Sequence, residues 1–358
     1  MDNGWKLIFV VPNLQIKDPI EFDKFALVPS CDSRLVKIKE ESLASKALLT
    51  KFSNQFDKVV HPCAIILNDK APTFYRKIEV ITDFRNAIAI CAIIEGSSNS
   101  ILRGQKFEPL FSDFFDFYPI TPDKDGQHLT VHTPIVLDGY NDPDKFRGQV
   151  NPLTHTVFRT ATIEDSTLDL LFRLWKKNPK KRSWKARAIF RSLQMAYQAS
   201  EIFFSNHFSE FDIGSRIGLW VSAFEVLVHP GRSGKANLDA VLMLLGQRSF
   251  SKPELKQKRY RLGEKSINLI QKLYCQLYDS RNAFLHGNPI ADKHIYPFGN
   301  KSIPHLLTVA PLIYKVALIE QLSKTGIKKK RRGRKSLAER IREEMDFEKV
   351  IIKYFNHR

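Results

Sequence analysis

The 358-residue sequence predicts an α+β protein, an N-terminal mixed α/β or β-rich domain followed by an all-helical bundle. Three observations predict it. The length exceeds that of most single domains. The first 150 or so residues alternate short apolar runs with clusters of Pro, Gly and Asp. From residue 163 onward, apolar residues recur at helical spacing in long segments divided by breakers such as His229-Pro230-Gly231 and Gly287-Asn288-Pro289. The expected division is residues 1–155, 160–325 and a basic linker with a terminal helix over 326–358.

Within the first part, Trp5–Val11 and Phe25–Val28 read as strands, residues 41–56 as helical and 62–67 as a further apolar run. Residues 77–94 have helical length and period. Residues 105–152 read as short strands and loops, with 129–137 the clearest strand. Helices are then expected over 168–175, 185–204, 213–229, 238–246, 265–286 and 302–323. The third of these could also be a buried strand, because residues 219–228 are apolar at eight of ten positions. Residues 328–335 are basic at seven of eight positions, and self-repulsion should keep them solvated. Ser336 and Glu339 then form a capping box. It opens a helix over about 337–355 with an apolar stripe at Leu337, Ile341, Met345, Val350 and Ile351.

Charge narrows the function. The sequence has 56 Lys plus Arg against 38 Asp plus Glu, a net +18. Residues 324–358 hold thirteen basic and five acidic residues, so the surplus is shared with the globular body. Such a balance favours polyanionic partners, nucleic acid or an anionic surface. The four cysteines, Cys31, Cys63, Cys91 and Cys275, are far apart with no CxxC pair, as expected of reduced thiols in a cytoplasmic protein. The start reads as a strand rather than a leader. No stretch approaches the ~20 apolar residues of a membrane span, and no membrane partner is expected.

The segment at 265–286 carries the candidate chemistry. Its apolar stripe runs Ile270, Leu273, Tyr274, Leu277, Tyr278, Phe284 and Leu285, and Arg281 interrupts it. A guanidinium facing an interior cannot shed its charge, so it needs a carboxylate, a phosphate or an interface. His286 lies four residues beyond Asn282, on the same side of a helix, so the Asn282 amide could hold one ring nitrogen. An Arg and a His so placed suit RNA transesterification. A 2′-OH attacks phosphorus, the imidazole moves protons, and the guanidinium neutralises the phosphate oxygens without a metal or other cofactor. A single His cannot easily make both proton transfers, which points to two copies across a dimer axis. Glu225, a carboxylate in an apolar run, must pair somewhere, with Arg281 or His286 or elsewhere for structure alone.

The string Arg281-Asn282-Ala283-Phe284-Leu285-His286, followed by Gly287, resembles the R-N-x-x-x-H signature of HEPN ribonuclease domains. Two upstream segments resemble the Apea-like branch of that family: residues 188–199 (AIFRSLQMAYQA) and 216–225 (RIGLWVSAFE), the second ending in Glu225. The resemblance covers roughly residues 163–323. It implies a helical bundle, a homodimer with a composite site, and metal-independent endoribonuclease activity, with Arg281, Asn282 and His286 catalytic. It also implies a toxin-like role in bacterial antiphage or abortive-infection defence. A regulatory trigger acting through the N-terminal domain would restrain such an enzyme.

Other features have plainer readings. Arg85-Asn86 opens a similar string, but Ile90 stands where the His would be, so it belongs to a core helix. His128 and His132, with Asp138, invite a metal reading, but strand rise puts the two His about 13 Å apart. The run over 176–187 is basic at seven of twelve positions. Its Lys180, Lys181, Arg182 and Lys185 are candidate RNA contacts, as are Lys329, Lys330, Arg331 and Arg332; the alternative is a solvated face and tail. The rival function is a non-catalytic HEPN protein binding RNA, nucleotide or a protein partner.

Overall fold

The computed structural model describes residues 4–11, 14, 16–50, 52–54, 58–104, 120–122, 129–131, 155–156, 163–177, 182–201, 210–231, 234–327 and 337–356. The chain is α+β and falls into two compact units, Met1–Arg85 with Phe111–Thr162, and Asn86–Leu110 with Ile163–Arg358. One cut lies between Thr162 and Ile163. A second cut runs through the helix Ile78–Leu102, which begins in the first unit and continues in the second. The terminal helix belongs to the second unit.

The first unit is built on four antiparallel strands in the order β1 (Trp5–Val11), β5 (Cys63–Asn68), β3 (Phe25–Val28), β2 (Ile20–Phe22). Both faces are covered, which explains the continuous apolar runs in β1, β3 and β5. One face sets Leu7, Val10, Ala26, Val28, Ala64 and Ile66 against Leu35, Ile38, Leu48, Leu49 and Phe52. On the other, Phe25 meets Tyr75 and Phe84 at 5.9 and 4.8 Å between ring centroids. The helical stretch expected at 41–56 is instead two helices, α1 (Ser33–Glu41) and α2 (Leu43–Thr50). Asp32 starts α1 by accepting from the Arg34 N–H, and extended Ser42 breaks it. The short strand pairs are β4 (Ser53–Asn54) with β8 (His155–Thr156), and β6 (Ile120–Pro122) with β7 (Leu129–Val131). The remainder of the strand expected at 129–137 lies outside the described residues, with His132 and Asp138. All four cysteines are free.

The second unit takes in α3 (Ile78–Leu102) from Asn86 onward, then α4 (Asp165–Trp175), α5 (Trp184–Glu201), α6 (Glu210–Val228), α7 (Leu238–Gly246) and the short α8 (Pro253–Gln257). A hairpin, β9 (Tyr260–Leu262) and β10 (Lys265–Ile267), precedes α9 (Leu269–Leu285), α10 (Asp292–Ile295), α11 (Leu306–Ser323) and α12 (Leu337–Asn356). Residues 213–229, readable as helix or strand, are helical. The centre is aromatic: Phe224 of α6 meets Tyr274 of α9 at 4.8 Å and Tyr314 of α11 at 5.5 Å. The Tyr314 hydroxyl is 2.6 Å from Ser192 Oγ, which donates to the Ala223 carbonyl at 2.6 Å. A second anchor is the ion pair of Lys315 and Glu164, 3.2 Å. Burial alone would push the Glu164 carboxyl up, but Lys315 and the Ser166 and Thr167 donors hold it below the usual range. Among the described residues one helix, α11, is long and apolar enough to cross a membrane, and 78% of it is buried within the unit. The apolar stripe expected in α12 holds where burial is described, at Val350 and Ile351, joined by Phe347 and Tyr354.

Candidate functional site

Residues 265–286 do not form one helix. Gly263, with φ 57, and Glu264 close a two-residue hairpin loop, so Lys265–Ile267 are strand. Asn268 then starts α9 through a capping box with Gln271, the two backbone-to-side-chain bonds measuring 2.8 and 2.9 Å. The buried face of α9 is Leu269, Ile270, Leu273, Tyr274, Leu277, Ser280 and Ala283. Leu285, expected in that stripe, is 60% exposed. The helix ends in a Schellman motif. Gly287 N–H donates to Phe284 O at 3.2 Å and Asn288 N–H to Ala283 O at 2.9 Å, with Gly287 at φ 65.

Against the last turn of α9 lies the start of α6. A Cβ on Gly214 would fall 1.9 Å from the Phe284 ring, so the absence of a side chain there is what lets the two helices meet. Phe224, ten residues on, meets Tyr274, ten residues back, so the pair runs antiparallel. Near this seam Phe211, 68% exposed, lies 5.7 Å from the Phe284 ring.

Arg281 is half-buried. Its guanidinium lies 5.8 Å from the Tyr278 ring centroid, and its Nη1 donates to Asn282 Oδ1 at 3.1 Å. Glu225, half-buried on α6, feels Arg281, but among the described residues no ion pair joins them. Burial pushes the Glu225 carboxyl above its ordinary range, and the Arg281 charge only partly opposes this. Close enough to feel both charges, Tyr274 is fully buried, and among the described residues its hydroxyl has no hydrogen-bond partner. Burial, then the nearby Glu225 and Tyr278, push its acidity far out of the physiological range.

The sequence expectation that Asn282 orients His286 is not met. The Asn282 side-chain oxygen is taken by Arg281, and only its backbone carbonyl reaches His286, accepting the cap N–H at 3.0 Å. His286 is the C-cap at φ −92, ψ 7, exposed, and among the described residues its ring has no hydrogen-bond partner. The structure therefore gathers Arg281, Asn282, Tyr278, Tyr274 and Glu225. His286 stands apart from that network, at the helix end.

Of the expected RNA contacts, Arg182 is corrected. It is buried, stacks 4.0 Å from the Phe190 ring centroid, and donates to the Trp175 and Lys177 carbonyls at 3.1 and 3.2 Å. It satisfies orphan carbonyls at the end of α4 and offers no surface to RNA. Lys185 is exposed, and lies close enough to Lys324 to add to the effect of burial in lowering the latter's basicity. Lys180, Lys181, Lys329, Lys330, Arg331 and Arg332 lie outside the described residues. Among the described residues no three His, Cys, Asp or Glu side chains group as metal ligands. Sequence reasoning missed Tyr274 and Tyr278 as members of the site, counting them only as apolar. Their signal was a pair of hydroxyls in the same stripe as Arg281. The chain matches no protein-family model, no curated protein and no solved structure.

Proposed function

We propose that this chain is a metal-independent endoribonuclease of the HEPN type, acting through Arg281 and His286. The observation that carries the proposal is the state of Arg281. A half-buried guanidinium has five N–H donors, yet here one side-chain oxygen accepts from it and, among the described residues, no carboxylate forms an ion pair with it. That leaves a fixed cation at the protein surface with donors to spare, the requirement for gripping a phosphate. Asn282 sets the direction of the guanidinium and Tyr278 supports its face.

In the proposed reaction the 2′-oxygen attacks the adjacent phosphorus and the P–O5′ bond breaks, leaving a 2′,3′-cyclic phosphate and a 5′-hydroxyl. One His286 takes the 2′-OH proton, and a second, from another copy of the chain, gives a proton to the leaving 5′-oxygen. Exposed Phe211 and Leu285, beside the end of α9, offer a second copy an apolar rim to cover. We place the activity in the cytoplasm, in a toxin-like defence role restrained through the N-terminal unit. The test is digestion of mixed RNA in EDTA beside an Arg281→Ala/His286→Ala variant. Cyclic-phosphate ends that appear only with the wild type support the reading; 5′-phosphate ends, or loss of cleavage with chelator, overturn it.

One observation favours the second reading, a HEPN-like protein that binds RNA or another partner without cutting it. The His286 ring lacks the partner that would fix its tautomer, and proton transfer in catalysis depends on that. Tight RNA binding with no cleavage in the same assay would select it.

A further inference from the structure

The hairpin β9–β10 carries a feature that the Arg281 cluster does not use. Phe298 lies between α10 and α11 with φ 56 and ψ 20, a left-handed conformation disfavoured for a bulky L residue. A strained aromatic residue would ordinarily be held by burial of its ring. Here the residue stays 43% exposed. The ring stacks nearly parallel to Tyr260, with centroids 5.7 Å apart and planes 19° apart. Phe355 of α12 supports it edge-on at 5.8 Å. The backbone thus holds an aromatic surface outward, buttressed from behind.

The segment that carries Tyr260 is basic on balance. Residues 248–265 contain seven basic residues and two acidic ones. Lys256, Lys258, Arg259 and Arg261 are exposed, and among the described residues none forms an ion pair. Lys265 is different, being paired with Asp239 at 2.8 Å. The Lys258 Nζ lies 6.0 Å from the Tyr260 ring centroid, while Arg261, next to Tyr260 on β9, takes the opposite face of the strand.

We propose that Phe298 and Tyr260, with Lys258, form a docking surface for single-stranded nucleic acid, separate from the Arg281 cluster. An unpaired base presents a flat π-face to Phe298, and the phosphate beside it meets the exposed cations. A duplex keeps its base faces stacked, so it can use the charges alone. An anionic lipid surface would use the charges too, but a single buttressed ring gives it little to insert. The surface supplies a second hold on RNA and does not depend on cleavage.

The experiment is fluorescence anisotropy of the full-length protein with a labelled oligo-uridine 12-mer and, separately, a labelled RNA duplex. Phe298→Gly removes the ring and suits the left-handed backbone, so its melting temperature should match or exceed the wild type. It should weaken oligo-uridine binding by roughly five- to hundredfold and leave the duplex almost unchanged. Lys258→Gln, which leaves the rings intact, should weaken both and lower the salt slope by about one. Wild-type affinity for oligo-uridine in Phe298→Gly, or equal losses on oligo-uridine and duplex, overturns the proposal. So does a Phe298→Gly effect seen only on anionic phospholipid vesicles. An Arg281→Ala/His286→Ala variant separates the two readings. If it cleaves like the wild type, the nuclease reading fails while the Phe298 dependence stands or falls by itself.

Discussion

Gly214 and Gly218 lie one turn apart on α6, and the structure predicts opposite outcomes for the same substitution at the two. By helix propensity alone each Gly→Ala change should stabilise, by up to ~1 kcal/mol. A Cβ on Gly218 meets nothing within 4 Å, so that gain should survive there. A Cβ on Gly214 would lie 1.9, 2.1 and 2.1 Å from three carbons of the Phe284 ring. Non-bonded carbons settle at about 3.5–4.0 Å, so the ring must retreat by roughly 1.5 Å. Overpacking of this kind costs ~1–3 kcal/mol, and so close an approach belongs near the upper end. After the propensity gain the net loss is about 1–2 kcal/mol. For a unit of this size that corresponds to a melting temperature lower by about 2–8 °C in Gly214→Ala, against a rise of about 1–4 °C in Gly218→Ala. Far-UV circular dichroism melts of the two proteins decide the matter. Should both variants gain stability alike, the α6–α9 seam described here is wrong. Phe284 is three residues from Arg281, so under the nuclease reading Gly214→Ala should also lose RNA cleavage at temperatures where it remains folded.

Tyr274→Phe removes a buried hydroxyl without a partner among the described residues, and should raise stability by about 1–3 kcal/mol in denaturant titrations; a loss would mean the hydroxyl has a partner. Glu225 has a carboxyl raised above its unfolded value, so the folded state holds its proton more tightly. Its contribution to stability is present below the unfolded pKa and lost as pH rises through the raised one. Glu225→Gln should therefore melt higher than the wild type at neutral pH, with the difference vanishing on acidification, and melting curves across that range would show it. For the composite site, Arg281→Ala and His286→Ala proteins mixed under conditions of subunit exchange should regain part of the cleavage that each lacks alone; full activity from a strict monomer would refute the shared groove.

Much of the fold was legible because burial leaves a strong trace. Strands β1 and β3 have the bounds read from their apolar runs, since a sheet covered on both faces needs apolar residues without alternation. The helices failed at their ends, where single side chains decide. Asp32 begins α1 eight residues earlier than apolar periodicity alone would place a helix, and extended Ser42 separates it from α2. Residues 265–267 satisfy a helical pattern as well as a strand pattern, and it is Gly263 at φ 57 that turns the chain into a hairpin.

The site divides in the same way. Helical spacing set Arg281 in the apolar stripe, and the residue is half-buried there, because position on a helix fixes which residues share a side. It could not give the path of His286, since a C-cap residue has left the helix and its ring no longer follows the i, i+4 rule. Asn282 then had two claimants. The guanidinium is charged and adjacent, so its bond to Oδ1 is charge-assisted, whereas the His286 ring lies beyond the last turn and is exposed to water that can solvate it. Arg182 illustrates the converse error. A run of seven basic residues in twelve looks uniform, yet the guanidinium nearest the end of α4 is drawn inward by unpaired carbonyls, and its planar group lies flat on Phe190. A lysine there could reach one carbonyl as a point charge, but it could not stack on Phe190 while also donating to two separate carbonyls. The identity of the cation, rather than its charge, therefore separates buried Arg182 from exposed neighbours such as Lys185.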